Sequence, residues 1–394
     1  MNYTVARALY KNQMLSCLYT DICADKQPIK FISWLFSLLG VESAKRLMQR
    51  RSKIPTSMVT HFPRLGWEYF ARKNKAIYTQ AEEFGNYLWA EEEFSKRILD
   101  VWKKDVCTHL YLYNTAAYNI IQENKVSKIV LEQCSLPIRY YLNRISDEES
   151  QYPDWTLTKT SEIINDELFI KYAEQERKEL QQADCVVAPS QAVLDAIKEE
   201  GIQLKDFRLI PYGYTFAKTE TPRKLQQRLK IATIGALELR KGIHHFYNLS
   251  GKGINAEFVA IGGLGSNLPE EKIELLKKSI RLTGHLNRKD LLREFSSVDV
   301  LLFLTIGEGS ATVVYEALSL GIPVITTKEA GSIIEHEVSG FIVRANDYDT
   351  IISYLQRLSD PDEYARMSEA ALHRSQYGSA KAYEERLILN LPTI

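Results

Sequence analysis

Two glutamates near the C-terminal end have the types and the spacing to do chemistry. Glu308 lies between glycines directly after the apolar stretch 300–304, and Glu316 lies in a segment that reads as a helix ending at Gly321. An acid just before a helix start lies where free backbone N–H groups and the helix dipole favour anions. At about 1.5 Å of rise per residue, the two carboxylates are on the order of 12 Å apart. That separation is roughly the length of a sugar–diphosphate–ribose unit.

This spacing predicts a role for each group in the segment. Glu308 would contact sugar hydroxyls and Glu316 would contact ribose hydroxyls. The backbone amides between them would hold phosphate, namely those of Ser310, Ala311 and Thr312. A simpler interpretation is a strand–loop–helix unit with one acid at the helix start and one solvated acid. For an isolated pair of glutamates that simpler interpretation would be preferred.

The complete run from Ile306 to Ile325 favours the functional interpretation. Its E-x7-E spacing, followed by the pattern EA-x3-G-x-PV, resembles the nucleotide-sugar signature of family 4 glycosyltransferases. Those enzymes retain anomeric configuration and have the GT-B fold. The resemblance implies a transferase of the hexosyltransferase type that uses no metal and no cofactor, and the sequence has no D-x-D motif.

A second segment carries the same resemblance. The stretch from Gly235 to Gly242 is similar to the family's G-x5-K-G phosphate loop, with Lys241 at the lysine position. Many members have arginine directly after the first glycine, where this chain has Ala236, and Arg240 is a candidate replacement. The implied catalytic residues are therefore Glu308, Lys241 and Arg240, the two cations stabilising the diphosphate that leaves. The alternative for the two cations is a surface pair at a helix start.

The resemblance also implies the remaining contacts to the donor. His285, after Thr283-Gly284, is expected near the nucleobase, and glycines at loop positions are expected to let the backbone approach the ligand. The full set of implied donor-binding residues is Gly235, Gly263, Gly284, His285, Gly309, Ser310, Ala311, Thr312 and Glu316.

Short apolar strands alternate with helical segments from about residue 180 onward, which is typical of doubly wound parallel sheets. Together with the resemblance this predicts an α/β protein of GT-B type, with two Rossmann-like domains facing each other across a cleft. We predict an acceptor-side domain over 1–216, a nucleotide-sugar-binding domain over 217–375, and a C-terminal helix over 376–394 that packs back on the first domain.

The beginning of the chain departs from this pattern. Enzymes of this type usually open with a strand and a glycine-rich turn before the first helix. Here residues 5–13 already read as that helix, and residues 15–21 as the second strand. We therefore expect that the first strand of the N-terminal sheet is missing, which would leave a gap at the sheet centre.

Composition narrows the classes of partner. Fifty basic residues balance fifty acidic ones among 394, so no overall field attracts nucleic acid. The five cysteines have no C-x2-C spacing and read as reduced thiols of a cytoplasmic protein. The histidines show no metal-binding spacing, and the adjacent pair His244 and His245 is not expected to share a helix face. We predict no metal site.

No apolar run is long enough to span a bilayer. The apolar stretch 31–39 is followed by five basic residues within 45–53, so the segment 30–53 is a candidate for peripheral contact with the inner membrane surface. The alternative is a packed helix with a solvated basic end.

The predicted function is transfer of a sugar from a nucleotide-diphosphate sugar to a glycan or lipid-linked acceptor, in the synthesis of a cell-surface polysaccharide or glycoconjugate. A different class stays open because of the unusual start and Ala236. In that alternative the chain is a non-catalytic GT-B subunit that binds nucleotide sugar or a partner transferase. Phosphorolysis and sugar-nucleotide epimerisation are weaker alternatives.

Overall fold

The computed structural model describes residues 3–27, 29–31, 47–73, 80–102, 107–124, 127–216, 219, 221–225 and 228–392. Within them, all paired strands run parallel. The strands are β1 (Leu18–Thr20), β2 (Val59–His61), β3 (His109–Tyr113), β4 (Lys128–Glu132), β5 (Cys185–Ala188), β6 (Phe207–Leu209), β7 (Leu229–Ile234), β8 (Ala256–Ile261), β9 (Arg281–Leu282), β10 (Val300–Phe303), β11 (Val324–Thr327) and β12 (Phe341–Val343).

Helices connect these strands on both faces of the sheets. They are α1 (Thr4–Lys11), α2 (Pro63–Lys73), α3 (Gln80–Val101), α4 (Tyr118–Glu123), α5 (Ile138–Gln151), α6 (Thr160–Ile163), α7 (Glu167–Gln182), α8 (Gln191–Glu199), α9 (Ile243–Ser250), α10 (Glu270–Ser279), α11 (Arg288–Ser296), α12 (Thr312–Ser319), α13 (Tyr348–Arg357), α14 (Pro361–Tyr377) and α15 (Ala380–Asn390).

The larger sheet has six strands in the order β12-β11-β10-β7-β8-β9. Its central strand β10 is buried at every position, which explains the continuous apolar run in the sequence. Successive residues point to opposite faces, so Leu302 packs in one core cluster while Leu301 and Phe303 pack in the other. The order of strands reverses direction between β10 and β7, and ligands of such sheets bind beyond the carboxyl ends of the strands at this point.

The smaller sheet has four strands in the order β3-β4-β5-β6. One face packs on α8, where the Ser190 hydroxyl caps the helix start by accepting a hydrogen bond from the Val193 amide. The other face presents Val130 and Val187, which pack against α1 and against Tyr383 and Leu387 of α15. The C-terminal helix therefore crosses back to the N-terminal domain, and that prediction is confirmed.

The first two strands form a separate sheet. Helix α1 confirms the helix predicted over 5–13, and β1 lies within the strand predicted over 15–21. Strand β1 pairs with β2, and no hydrogen-bonded strand pair in the described ranges joins these two strands to β3. Helix α1 packs on both sheets, with Val5 toward the four-stranded sheet and Ala6 toward the two-stranded one. The missing first strand and the domain limits at 216 and 375 remain predictions.

The predicted membrane-contact segment 30–53 lies largely outside the described residues, since 32–46 are not among them. None of the described helices combines the length and the apolar character that crossing a bilayer requires.

Candidate functional site

The predicted catalytic residues come together beyond the carboxyl ends of β7 and β10. Strand β7 ends at Ile234 and leads to a short 3-10 turn, Leu239–Lys241, while β10 leads to the loop that carries Glu308. The Lys241 ammonium group contacts Oε1 of Glu308 directly. Both side chains are about one-fifth exposed, at 18% and 21%, so the pair is accessible from the cleft without being fully solvated.

Arg240 joins the same cluster. Its Nη1 lies 3.6 Å from Oε1 of Glu308, and its Nε lies 2.6 Å from Oε1 of Glu238. Burial lowers the pKa of Arg240, but the charges of Tyr141, Glu238 and Glu308 outweigh it, so the pKa lies above its ordinary value. The guanidinium therefore stays charged, and the interpretation of Arg240 and Lys241 as an isolated surface pair does not fit these contacts.

Two glycines bring the Glu308 loop against the N-terminal domain. A Cβ on Gly309 would lie 2.2 Å from the carbonyl oxygen of Cys134, and one on Gly307 would lie 2.7 Å from the ring of Tyr141. The Ser190 hydroxyl donates to the Gly309 carbonyl across the same boundary at 2.8 Å. The glycines that flank Glu308 thus permit close contact between the domains, a requirement that the sequence alone did not reveal.

The start of α12 only partly matches the predicted phosphate cradle. The amide of Ala311 donates to the carbonyl of Ala330 at 2.9 Å, so this amide is already paired, contrary to its predicted role. Thr312 is the first residue of α12, where unpaired amides are expected. The Ser310 hydroxyl and the Tyr315 hydroxyl are 2.9 Å apart and share a hydrogen bond.

Glu316 is buried on α12, with 7% of the residue exposed, which argues against a fully solvated acid. Its Oε1 accepts a hydrogen bond from Nη2 of Arg288 at 2.5 Å. Arg288 is the first residue of α11 and follows the predicted nucleobase loop by three positions. Sequence reasoning missed this arginine, although its place after His285 was the available signal.

The remaining predicted donor-binding residues are glycines and a histidine at strand ends. Gly235 follows β7. A Cβ on Gly262 would lie 1.9 Å from the carbonyl oxygen of Gly235, so the two backbones are in close contact. Gly262 forms an isolated bridge with Gly284, and nothing lies within 4 Å of a Cβ on Gly263. His285 is exposed next to Gly284. These positions converge at the edge formed by β7, β8 and β9, as the Rossmann-like fold requires.

His244 and His245, which were not expected to share a helix face, both reach the same carboxylate. Both lie in the first turn of α9, and both Nε2 atoms are 2.8 Å from Oε1 of Glu148 on α5. Adjacent side chains on a helix start about 100° apart, but both rings turn toward an acceptor that another domain supplies. An interdomain partner leaves no local pattern in the sequence.

The matched family agrees with this geometry. Residues 217–374 match the family model described as glycosyl transferases group 1. This segment is similar to that family and is called the glycosyltransferase domain below. It contains the Lys241–Glu308 pair, Arg240 and Glu316, and it ends within α14.

Curated relatives match this chain over limited lengths. The capsular polysaccharide biosynthesis glycosyltransferase CapM of Staphylococcus aureus is 27% identical over 176 residues, which are 42% of this chain and 45% of that protein. The UDP-Gal:alpha-D-GlcNAc-diphosphoundecaprenol alpha-1,3-galactosyltransferase of Escherichia coli is 32% identical over 87 residues, 22% of each chain. The matched segments therefore span less than half of either relative.

Solved structures share the fold across both domains. Sucrose-phosphate synthase from Thermosynechococcus elongatus has a TM-score of 0.60 at 16% identity and covers 79% of each chain. An alpha,alpha-trehalose-phosphate synthase (UDP-forming) from Burkholderia vietnamiensis has a TM-score of 0.54 at 12% identity, covering 82% of this chain and 83% of that one. The predicted GT-B architecture, two Rossmann-like domains facing across a cleft, is thereby confirmed.

Proposed function

We propose that this protein transfers a sugar, with retention of anomeric configuration, from a nucleotide-diphosphate sugar to a glycan or lipid-linked acceptor. The observation that carries the proposal is the cluster of Lys241, Arg240 and Glu308 at the ends of β7 and β10, inside the matched glycosyltransferase domain.

The donor site is supported by the positions of charge. Two cations next to the glycine turn at Gly235 are suited to a diphosphate, whose negative charge grows as the glycosidic bond breaks. Glu308 holds Lys241 at the side where the transferred sugar would lie. Glu316, held by Arg288 on the next helix, offers carboxylate oxygens to ribose hydroxyls.

Retention of configuration follows from a front-side reaction. In such a step the leaving phosphate itself takes the acceptor proton, so the protein supplies positioning and charge stabilisation. Lys241 and Arg240 would stabilise the departing diphosphate, and no metal is required for that task. Removal of one electrostatic donor of this kind typically lowers the rate by a factor of about 10²–10³.

Two observations support the proposed acceptor. The names of the two curated relatives concern capsular polysaccharide and a diphosphoundecaprenol-linked sugar. A cavity of about 320 Å³ beside Arg240 is lined by apolar and aromatic side chains, including Phe84 and Trp155, and by polar ones, including Glu149 and Thr160. Such a lining is compatible with a lipid-linked or sugar acceptor that stacks on aromatic rings.

A second candidate function is a non-catalytic subunit that binds nucleotide sugar or a partner transferase. Two observations favour keeping it. Ala236 stands where many family 4 members have arginine, and the two-stranded sheet is separate from the four-stranded sheet. Transfer would be lost in either form of such a subunit, and donor binding would persist in the form that binds nucleotide sugar.

The test is a donor and acceptor assay on the full chain. Thermal unfolding is first measured with uridine and guanosine diphosphates, because saturating ligand at 100 times its dissociation constant stabilises by about 2.7 kcal/mol. The radiolabelled sugar nucleotide of the preferred base is then incubated with short glycans and lipid-diphosphate sugars, and the product anomer is assigned by NMR. Transfer with retention supports the proposal. Binding without transfer to any acceptor supports the second candidate. No binding of either nucleotide contradicts the proposal and the nucleotide-sugar-binding form of the second candidate.

A further inference from the structure

A buried cluster of two imidazoles and one carboxylate joins the two domains. Glu148 lies in α5 of the N-terminal domain, and His244 and His245 lie at the start of α9 in the glycosyltransferase domain. The two histidines are 0% and 1% exposed, while the Glu148 side chain is 16% exposed. The three ligand atoms all lie within 4.8 Å of one another. Three atoms of the kinds that transition metals bind thus converge on one point.

Hydrogen bonds outside the cluster fix the orientation of one ring. Nδ1 of His245 is 2.8 Å from the Tyr348 hydroxyl, which also accepts a hydrogen bond from Nδ2 of Asn248 at 2.9 Å. A histidine that ligates a metal through one nitrogen usually donates the proton on its other nitrogen to such an oxygen. Tyr348 and Asn248 therefore provide the outer partners that a metal-bound His245 needs.

The proton balance of the cluster permits a cation. Without a cation, each Nε2 carries a hydrogen and donates to Oε1 of Glu148. With a cation bound, both Nε2 lone pairs face the ion and each imidazole ring carries its proton on Nδ1. For His245 that proton is donated to Tyr348. Nδ1 of His244 is buried with no hydrogen-bond partner in the described part of the chain, so no bond there is broken when the proton moves.

We propose that Glu148, His244 and His245 form a binding site for a zinc-type transition-metal cation that joins the two domains. Metal–ligand bonds of about 2.0–2.1 Å place tetrahedral ligands roughly 3.4 Å apart. The 2.8 Å contacts to Glu148 therefore need to widen by only about half an ångström, within the reach of side-chain motion. The exposed part of the Glu148 side chain gives solvent access, so a water would be the fourth ligand. The site is separate from the proposed sugar transfer, which needs no metal.

The test measures zinc binding by the full chain after chelator treatment and removal of the chelator. Titration calorimetry with zinc chloride should show one saturable site per chain, and zinc should raise the thermal midpoint by linkage. Tyr348→Phe should weaken affinity about 10- to 100-fold, the cost of losing an outer-shell partner. Glu148→Gln should weaken it more, although glutamine can still accept hydrogen bonds from the imidazoles. His373→Ala, which removes an exposed histidine on α14, is the matched control and should leave affinity unchanged.

The outcomes are distinct. Affinity lost in Glu148→Gln and kept in His373→Ala supports the site. Equal affinity in the wild type and Glu148→Gln, or no saturable binding, overturns it, and the cluster is then only a hydrogen-bonded contact between α5 and α9. If Glu148→Gln does not fold, cobalt(II) added to the wild type decides. A strong visible absorption band of the cobalt protein supports coordination by the cluster if zinc abolishes the band and Tyr348→Phe weakens it. Absence of the band overturns the proposal.

Discussion

At the scale of single residues, the site is a small network of opposite charges. Glu308 contacts Lys241 and lies near Arg240, and Arg240 is also held by Glu238. These pairs hold the two cations in place before any diphosphate arrives, so less reorganisation is needed when charge develops. Removing one cation should therefore affect the transition state more than the bound donor.

We expect Lys241→Ala to lower kcat by about 10²–10³, with a smaller change in donor affinity. The reason is that the ammonium group compensates charge that grows as the leaving group departs. Steady-state kinetics on the wild type, this variant and Lys289→Ala, an exposed lysine on α11, provide the comparison. A rise in KM alone would mean that Lys241 contributes uniform binding, contrary to the assigned role.

Glu316→Ala should weaken binding of a nucleoside diphosphate by about 1.5–3 kcal/mol, the scale for a charged hydrogen bond. Arg288→Ala should have a smaller effect, because Arg288 is 56% exposed and an exposed ion pair contributes little. Calorimetry with the free nucleotide measures both. An unchanged affinity in Glu316→Ala would remove the ribose assignment, even if Arg288→Ala had an effect.

Sequence reasoning identified the residues of the local motifs and missed those that depend on distant partners. Lys241 and Glu308 stand in recognisable patterns, and the structure brings them into contact. Arg288 and Glu148 lie outside any motif, because their partners Glu316 and the histidine pair are brought to them only by tertiary packing. The hydrogen bond that the Ala311 amide donates likewise depends on a distant partner, the carbonyl of Ala330.

At the scale of elements, strand and helix limits were largely predictable. The strand Ala256–Ile261, for example, is apolar except for Glu257 and lies between turn residues, a pattern that has few alternatives. The sequence did not indicate that β1 and β2 form a sheet separate from the four-stranded N-terminal sheet. Strand pairing depends on neighbours that are remote in sequence, and only the departure of residues 5–21 from the family pattern pointed to it.

Gly242 is an element-scale test of the phosphate loop. Its φ of 74° and a Cβ position 2.0 Å from the Leu304 carbonyl oxygen combine an unfavourable backbone with a clash. Gly253 has a similar φ of 72° with nothing within 4 Å of its Cβ position. Gly253→Ala should therefore cost about 1–2 kcal/mol of unfolding free energy. Gly242→Ala should cost more and also weaken donor binding. Equal costs in denaturant titrations would mean that the loop can move away from Leu304.

A buried carboxylate on α7 should give the protein a pH dependence. Burial raises the pKa of Glu179 to about 8, although amides of Thr115 and Ala117 donate to it and lower it. Between the unfolded value near 4.5 and this folded value, the folded state holds more protons than the unfolded state. The free energy of unfolding should therefore fall as pH rises through this window, with a slope of the order of 1 kcal/mol per pH unit.

Glu179→Gln should reduce that slope, because the titrating group is gone. Glu174→Gln removes an exposed carboxylate from the same helix and should leave the slope unchanged. Denaturant unfolding of the three proteins between pH 5 and pH 8 makes the comparison. Parallel curves for the wild type and Glu179→Gln would show that Glu179 is ionised throughout this range in the folded protein.

At the scale of the whole molecule, the two domains differ in how completely their sheets are paired. The glycosyltransferase domain has one continuous six-stranded sheet. In the N-terminal domain, β1 and β2 form a separate sheet of two three-residue strands. An isolated pair of strands is only marginally stable. We expect backbone amides of β1 and β2, and of the β3 edge, to exchange hydrogen faster than those of β7, β8 and β10. Exchange measured by mass spectrometry with equal protection in both sets would contradict this view.

The return of α15 to the N-terminal domain has a consequence for how the protein is made. Tyr383 and Leu387 cover the sheet residues Val130 and Val187, so part of the first core consists of residues that leave the ribosome after the whole glycosyltransferase domain. At a translation rate of about 5–20 residues per second, α15 is synthesised roughly ten seconds or more after the sheet face on which it packs. The second domain can fold before the first is complete, and a chain released early would expose an apolar sheet face to aggregation and chaperones.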